Sequence, residues 1–148
     1  MRPFFMHRFE EVTLALLRVV AGLLMMQHGA QKLFGWFKAP DAPAGNAELL
    51  SMMGLAGVLE FFGGLLIVIG LFTRPVAFIL SGLMAAAYFM AHAPRGMIPL
   101  LNQGELAALY SFVFLYLASR GGGRYSVDGA RRVTTADDAT VLMPRRSV

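Results

Sequence analysis

Gln27-His28-Gly29-Ala30-Gln31-Lys32 closes the first long apolar run of the chain, and Glu60 stands in the middle of the second. A membrane segment discards such groups unless it has a use for them, because charge in hydrocarbon costs free energy even after snorkelling and water defects relieve part of it. At i, i+3 and i+4, His28, Gln31 and Lys32 share one helical face. An imidazole that gains or loses a proton near neutral pH, beside ammonium and amide donors, makes a polar wall for a small headgroup. The same pattern also suits a snorkelling Lys32 with capping amides.

Depth along the helices suggests a partner for Glu60. It lies nine residues after Ser51, about 13 Å below the outer rim, and Arg18 lies ten residues before His28, about 15 Å below the same rim. Each alone would cost about 2.5–3.5 kcal/mol on the insertion scale, so an intramembrane Arg18–Glu60 ion pair is expected. Such a pair either lines a site or only locks two helices together.

Other candidates are His92 at the end of the third apolar run, and Asn102 and Glu105 at the start of the fourth. His92 can be a ligand, or a cation that suits a helix C-terminus. Asn102 with Glu105 three residues on reads as a capping box. No H-E-x-x-H pattern supports a metal or haem between His28 and His92, so no metal site is expected. The ten Met residues read as packing filler.

These groups need a scaffold, and composition says which. Of 148 residues, 57% are hydrophobic and only 15% charged, against about 45–50% and about 25% in an ordinary soluble domain. So small a body cannot hide that excess in its core. With no cysteine, disulfides, thiolate metal sites and thiol redox chemistry are excluded. The net charge of +4 comes without a basic helix or an aromatic-interleaved patch, so nucleic acid is not expected as a partner.

Four apolar spans follow, at about 12–32, 49–72, 75–92 and 103–119, after an N-terminal segment 1–11 and before a polar tail 120–148 expected to be mostly disordered. Glu10, Glu11 and the lack of an A-x-A-like site argue that the first span is retained as a helix, not cleaved as a signal. Phe34, Trp36 and Phe37 suit an interfacial anchor. Gly57, Glu60 and Gly64 share a face stripped of bulk, and Gly82 with Ala86 forms a second small-xxx-small pair for helix packing. Arg2, Arg8, Arg74, Arg120, Arg124, Arg131 and Arg132 cluster near one side of the spans, against Lys32, Lys38 and Arg95 on the other. By the positive-inside rule both termini are cytoplasmic. The fold class read from this is all-α, an integral membrane four-helix bundle, with His28, Gln31, Lys32, Glu60, His92, Asn102 and Glu105 converging on its outer half.

Leu17-Arg18, His28-Gly29-Ala30-Gln31-Lys32-Leu33-Phe34-Gly35, Glu60-Phe61-Phe62-Gly63-Gly64, Gly70-Leu71-Phe72-Thr73-Arg74, Asn102-Gln103-Gly104-Glu105-Leu106-Ala107 and Gly123-Arg124-Tyr125-Ser126-Val127-Asp128 follow one another in order. Together they resemble the DoxX family of small bacterial membrane proteins. Gln103 stands where the pattern would have a second glycine. The resemblance implies a four-helix, multi-pass protein of the bacterial inner membrane, with relatives linked to a quinone-linked sulfur oxidoreductase and to oxidative-stress assemblies.

Three functional readings stay open. The first is a component that binds a lipophilic molecule such as a quinone at the outer polar cluster. It has no covalent cofactor and acts as an accessory subunit beside a protein partner that brings the redox centre. The second is a transport or assembly module in which Arg18 and Glu60 line a path, for which a homo-oligomer would be needed. The third is a purely structural subunit.

Overall fold

The computed structural model describes residues 4–38 and 46–132. Among them the chain is all-helical: α1 (Phe4–Phe34), α2 (Met52–Ile69), α3 (Thr73–Ala87), a short α4 (Pro99–Asn102) and α5 (Glu105–Arg120). A π-helical turn at Tyr88–His92 and a 3₁₀ turn at Ala93–Arg95 prolong α3. Among the described residues, two helical stretches are long and apolar enough to cross a membrane, Met52–Ile69 and Thr73–Arg95. α1, with 31 residues, is about 46 Å long by helical rise, which exceeds the roughly 30 Å of a bilayer core.

Glycines set the closest contact, between α1 and α2. A Cβ on Gly22 would lie 2.8 Å from the Gly64 carbonyl oxygen, one on Gly64 2.7 Å from that of Gly22, and one on Gly29 2.7 Å from that of Gly57. Seven residues up α1 match seven residues down α2, so the helices run antiparallel in fixed register. The Gly57–Gly64 face does pack as the sequence suggests. The Gly82–Ala86 pair does not: both are exposed, and a Cβ on Gly82 would meet nothing within 4 Å. Spacing alone cannot tell a packed small face from one that looks outward.

α3 pairs with α5, where the Ser81 hydroxyl donates to the Ser111 carbonyl at 2.8 Å. The core draws on all four long helices: Leu14, Ala21 and Met25 from α1, Ile67 from α2, Ala77, Leu80 and Met84 from α3, and Tyr110, Phe114 and Leu117 from α5. Outward faces carry Leu16, Val20, Phe62, Phe78, Ile79 and Phe112, all more than half exposed. So much apolar surface on every side is an interaction surface, and lipid suits it.

The segment after α5 is folded, contrary to a disordered tail starting at 120; residues 133–148 lie outside the described residues. Residues 121–132 lie across the ends of α1, α2 and α3. Glu11, largely buried, accepts from the Arg120 guanidinium at 3.2 Å and from the Arg124 amide at 2.6 Å. The Asp128 amide donates to the Gly70 carbonyl at 2.9 Å, while its carboxylate accepts from the Phe72 and Thr73 amides at 2.9 and 2.8 Å. Asp128 thus caps α3 from 55 residues away, in place of a local cap, because Phe72 at the N-cap position offers no side-chain hydrogen bond. Low apolar content, the basis for expecting disorder, does not register hydrogen bonds to helix ends.

Burial opposes charge on Asp128, but hydrogen bonds from Thr73 and Phe72 and the nearby Arg132 outweigh it and hold the carboxyl below its usual range. A lowered folded pKa contributes stability that is fully present above the unfolded aspartate value of about 3.9 and is lost as pH falls through the folded value. Wild type should therefore be more heat-stable in detergent than Asp128→Asn at neutral pH, with the gap closing as pH falls through the lowered folded value; a gap that stays constant would refute the cap. Gly29→Ala should cost about 1–3 kcal/mol by forcing α1 off α2, whereas Gly82→Ala should be neutral or gain up to about 1 kcal/mol of helix propensity. Equal effects in thermal unfolding would contradict the glycine contact.

Candidate functional site

The register of α1 against α2 decides which polar groups meet. Lys32 and Leu33 lie over Gly57, which leaves the Lys32 ammonium beside Glu60, three residues on. It donates to both carboxylate oxygens, at 2.5 Å to Oε1. Glu60 is almost fully buried, its side chain 4% exposed, while that of Lys32 is 24% exposed. One end of the pair is therefore sealed in the helix contact and the other opens to the surroundings. Gly57, one turn before Glu60, supplies the room for the lysine stem, since a Cβ there would sit 3.1 Å from Lys32 Cβ.

The expected Arg18–Glu60 pair does not form. Arg18 is 3% exposed, and its guanidinium donates to the Tyr125 carbonyl at 2.7 Å and to the Ile67 carbonyl at 3.3 Å. It lies against Gly70, ten residues from Glu60 and about 15 Å along the helix direction. The depth count misplaces it because α1 continues six residues past His28, to Phe34. That shifts the outer boundary by about 9 Å. The carbonyl of Ile67 belongs to the last turn of α2, where the helix dipole favours a cation.

Of the other candidates, His28 lies one turn before Lys32 and its ring meets the edge of Tyr110 on α5, centroids 6.5 Å apart. Gln31 donates to the Phe37 carbonyl at 3.3 Å, which holds the chain leaving α1. Phe34 packs on Trp36 and on Phe61, one residue after Glu60, at 5.0 and 5.3 Å between centroids. Lys32, Glu60 and these aromatics thus form one patch where α1 and α2 meet, and His28 lies one turn before Lys32, against Tyr110 of α5.

His92, Asn102 and Glu105 do not join that patch. His92 stacks on Tyr88, centroids 6.5 Å apart at 21°, and its Nδ1 lies 3.1 Å from the Asn102 carbonyl. Asn102, 1% exposed, donates to the Gly96 carbonyl at 2.6 Å and accepts from the Gly104 amide at 2.8 Å. It clamps the 96–104 loop. The capping box fails: α5 starts after Gly104, without a side-chain cap, and Glu105 is exposed. Asn102 spends its oxygen on the loop, so it cannot begin the helix. Gln103 adopts φ +60°, the left-handed conformation a glycine takes at no steric cost.

Sequence reading left Tyr110 and Tyr88 without roles. Both carry a hydroxyl within an apolar run, a group that seeks a partner when buried. That was the available signal. The π-helical turn of Tyr88–His92 is a local form frequent at functional sites, and sequence gave no sign of it.

The DoxX family model matches residues 13–93, which hold Arg18, the Lys32–Glu60 pair and the α2–α3 turn. The chain belongs to the DoxX family. It is 39% identical over 128 residues to an uncharacterised protein of Haemophilus influenzae, covering 83% of this chain and 93% of the relative. It is 31% identical over 132 residues to the inner membrane protein YqjF of Escherichia coli, covering 83% and 95%. No solved structure matches it significantly. The chain is thus a DoxX family membrane protein, and its two ends differ in chemistry. At the Arg18 end the Arg18 guanidinium is tied to backbone carbonyls. At the Lys32 end a carboxylate and an ammonium hold each other, with one side open.

Removing one member of a buried pair strands the other. Lys32→Met or Glu60→Leu alone should each cost up to about 3 kcal/mol in detergent unfolding, while the double change should cost less than the sum. Arg18→Met and Glu60→Gln should instead add within about 0.5 kcal/mol, since they share no partner. Strong coupling between Arg18 and Glu60 would contradict this assignment.

Proposed function

We propose that this DoxX protein is a multi-pass component of the bacterial inner membrane that binds a lipophilic molecule with a small polar headgroup, a quinone being the best fit, at the Lys32–Glu60 patch. In this reading α1, α2, α3 and α5 form a four-helix bundle with both termini in the cytoplasm. Support comes from the contribution of all four helices to one core, from Arg74, Arg120 and Arg124 gathered at one end, and from the name of the Escherichia coli relative.

The observation that carries the ligand reading is the asymmetry of the pair: a carboxylate 4% exposed beneath an ammonium 24% exposed. Lysine has three N–H donors, and the two Glu60 oxygens take two of them. The third is free to donate to a quinone carbonyl, with the His28 imidazole one turn away and Phe34 and Phe61 as apolar walls. This is the usual composition of a small-molecule site, apolar with a few placed polar groups. Without a flavin motif or a thiol, electrons would reach the quinone from a protein partner that brings its own redox centre. Transport through Arg18 and Glu60 draws no support from a specific contact, as the two lie about 15 Å apart along the α1–α2 pair and share no partner.

The protein purified in mild detergent should co-extract quinone, and a short-chain quinone should raise its thermal stability. Lys32→Met with Glu60→Leu should lose both effects while remaining folded. If wild type carries no quinone and its stability does not respond, the patch is a helix lock and the ligand reading falls.

A further inference from the structure

The opposite end of the molecule holds a second arrangement that the quinone reading does not use. A hollow of about 250 Å³ over the start of α3 is lined by Phe72, Arg74, Asp128, Arg131 and Arg132. Three arginines, all exposed, surround a single carboxylate whose two oxygens already accept the Phe72 and Thr73 amides. The rim is therefore cationic in excess. Phe72 is held at φ +50°, a conformation a bulky side chain rarely adopts, and its ring is 56% exposed with the Arg131 guanidinium 5.9 Å from its centroid.

One turn further along α3 the surface changes character. An apolar trough of about 530 Å³ runs between α3 and α5, lined by Phe78, Phe112, Leu115, Tyr116, Ala118 and Ser119. Phe78 follows Arg74 by four residues, and Ser119 precedes Gly121 of the hollow by two. Cationic hollow and apolar trough are thus consecutive on the same two helices. That is the profile of a phospholipid: charged head at the membrane surface, chains below it. Basic pockets between transmembrane helices at the cytoplasmic surface take anionic headgroups. We propose that Arg74, Arg131 and Arg132 hold the phosphate of an anionic phospholipid whose acyl chain lies in the α3–α5 trough. A free anion would use the hollow but leave the trough uncovered.

The site is independent of the Lys32–Glu60 patch and is tested separately. The full chain in neutral detergent is offered phosphatidylglycerol, phosphatidylcholine and inorganic phosphate, and bound lipid is read by native mass spectrometry. Phosphatidylglycerol should be retained in preference to phosphatidylcholine. Affinity for it should fall about fivefold in Arg132→Gln, which lies in an exposed segment, and about thirtyfold when Arg74→Gln is added. Arg95→Gln, at the other end of α3, should leave it unchanged. Equal retention of the two lipids by wild type overturns the proposal, as does an effect of Arg132→Gln no greater than that of Arg95→Gln. Displacement of phosphatidylglycerol by millimolar inorganic phosphate overturns the lipid assignment in favour of a small-anion site.

Discussion

The guanidinium of Arg18 is buried with its hydrogen bonds on backbone carbonyls and the Asp128 carboxylate nearby, and the turn between α2 and α3 is built around that fact. Its charge is answered by the Ile67 carbonyl at the end of α2 and by the Tyr125 carbonyl of the segment after α5. Gly70 makes this geometry available twice over: its left-handed φ of +71° ends α2, and a side chain there would occupy the position of the guanidinium. Asp128 does the converse for α3. A cation at the negative end of one helix dipole and an anion at the positive end of the next, on either side of one turn, are mutually reinforcing. Both depend on residues 125–128 lying across the helix ends, so the last described segment is part of the fold's closure.

That closure explains what two of the family-like stretches do. Gly70-Leu71-Phe72-Thr73-Arg74 and Gly123-Arg124-Tyr125-Ser126-Val127-Asp128 are far apart in sequence and look like separate signatures. In space they are the two halves of one joint. Each supplies what the other lacks: the first has helix ends with unsatisfied backbone groups, the second has a carboxylate and a carbonyl to meet the Thr73 amide and Arg18. These residues hold helices together, and a function assigned to them from likeness alone would be misplaced.

Much of the helix content was legible from the sequence because apolar runs and their breaks are local. So was the α1–α2 contact face, since Gly57, Glu60 and Gly64 announce a surface with no bulk. What failed was anything that needs register. Whether Glu60 meets Arg18 or Lys32 depends on where α1 ends, and that end lies at Phe34 and Gly35, with φ +70° at the glycine, six residues past His28, from which the depth of Arg18 is counted. An error of less than two helical turns exchanged the partner. Asn102 failed for a different reason: its amide nitrogen is taken by the Gly96 carbonyl and its amide oxygen by the Gly104 N–H, and the loop that brings these together is not encoded in spacing. The outward Gly82 shows the limit again, since a small residue invites a neighbour but does not supply one.

The contrast between the two ends bears on where chemistry can occur. At the Arg18 end, Arg18 and Asp128 are matched to backbone groups at helix ends, so a ligand competing for them would have to dismantle a helix end. At the Lys32 end the match is between two side chains. Glu60 is anchored in the glycine contact, but Lys32 is a flexible stem with a partly exposed head, and the cost of turning that head toward a third group is rotameric, not architectural. A pair of this kind can share its ammonium with a carbonyl oxygen without uncovering the carboxylate. Arg18 and Asp128 are thus neutralised by helix-end backbone, whereas Lys32 is tied to another side chain and can change its contacts with the fold intact.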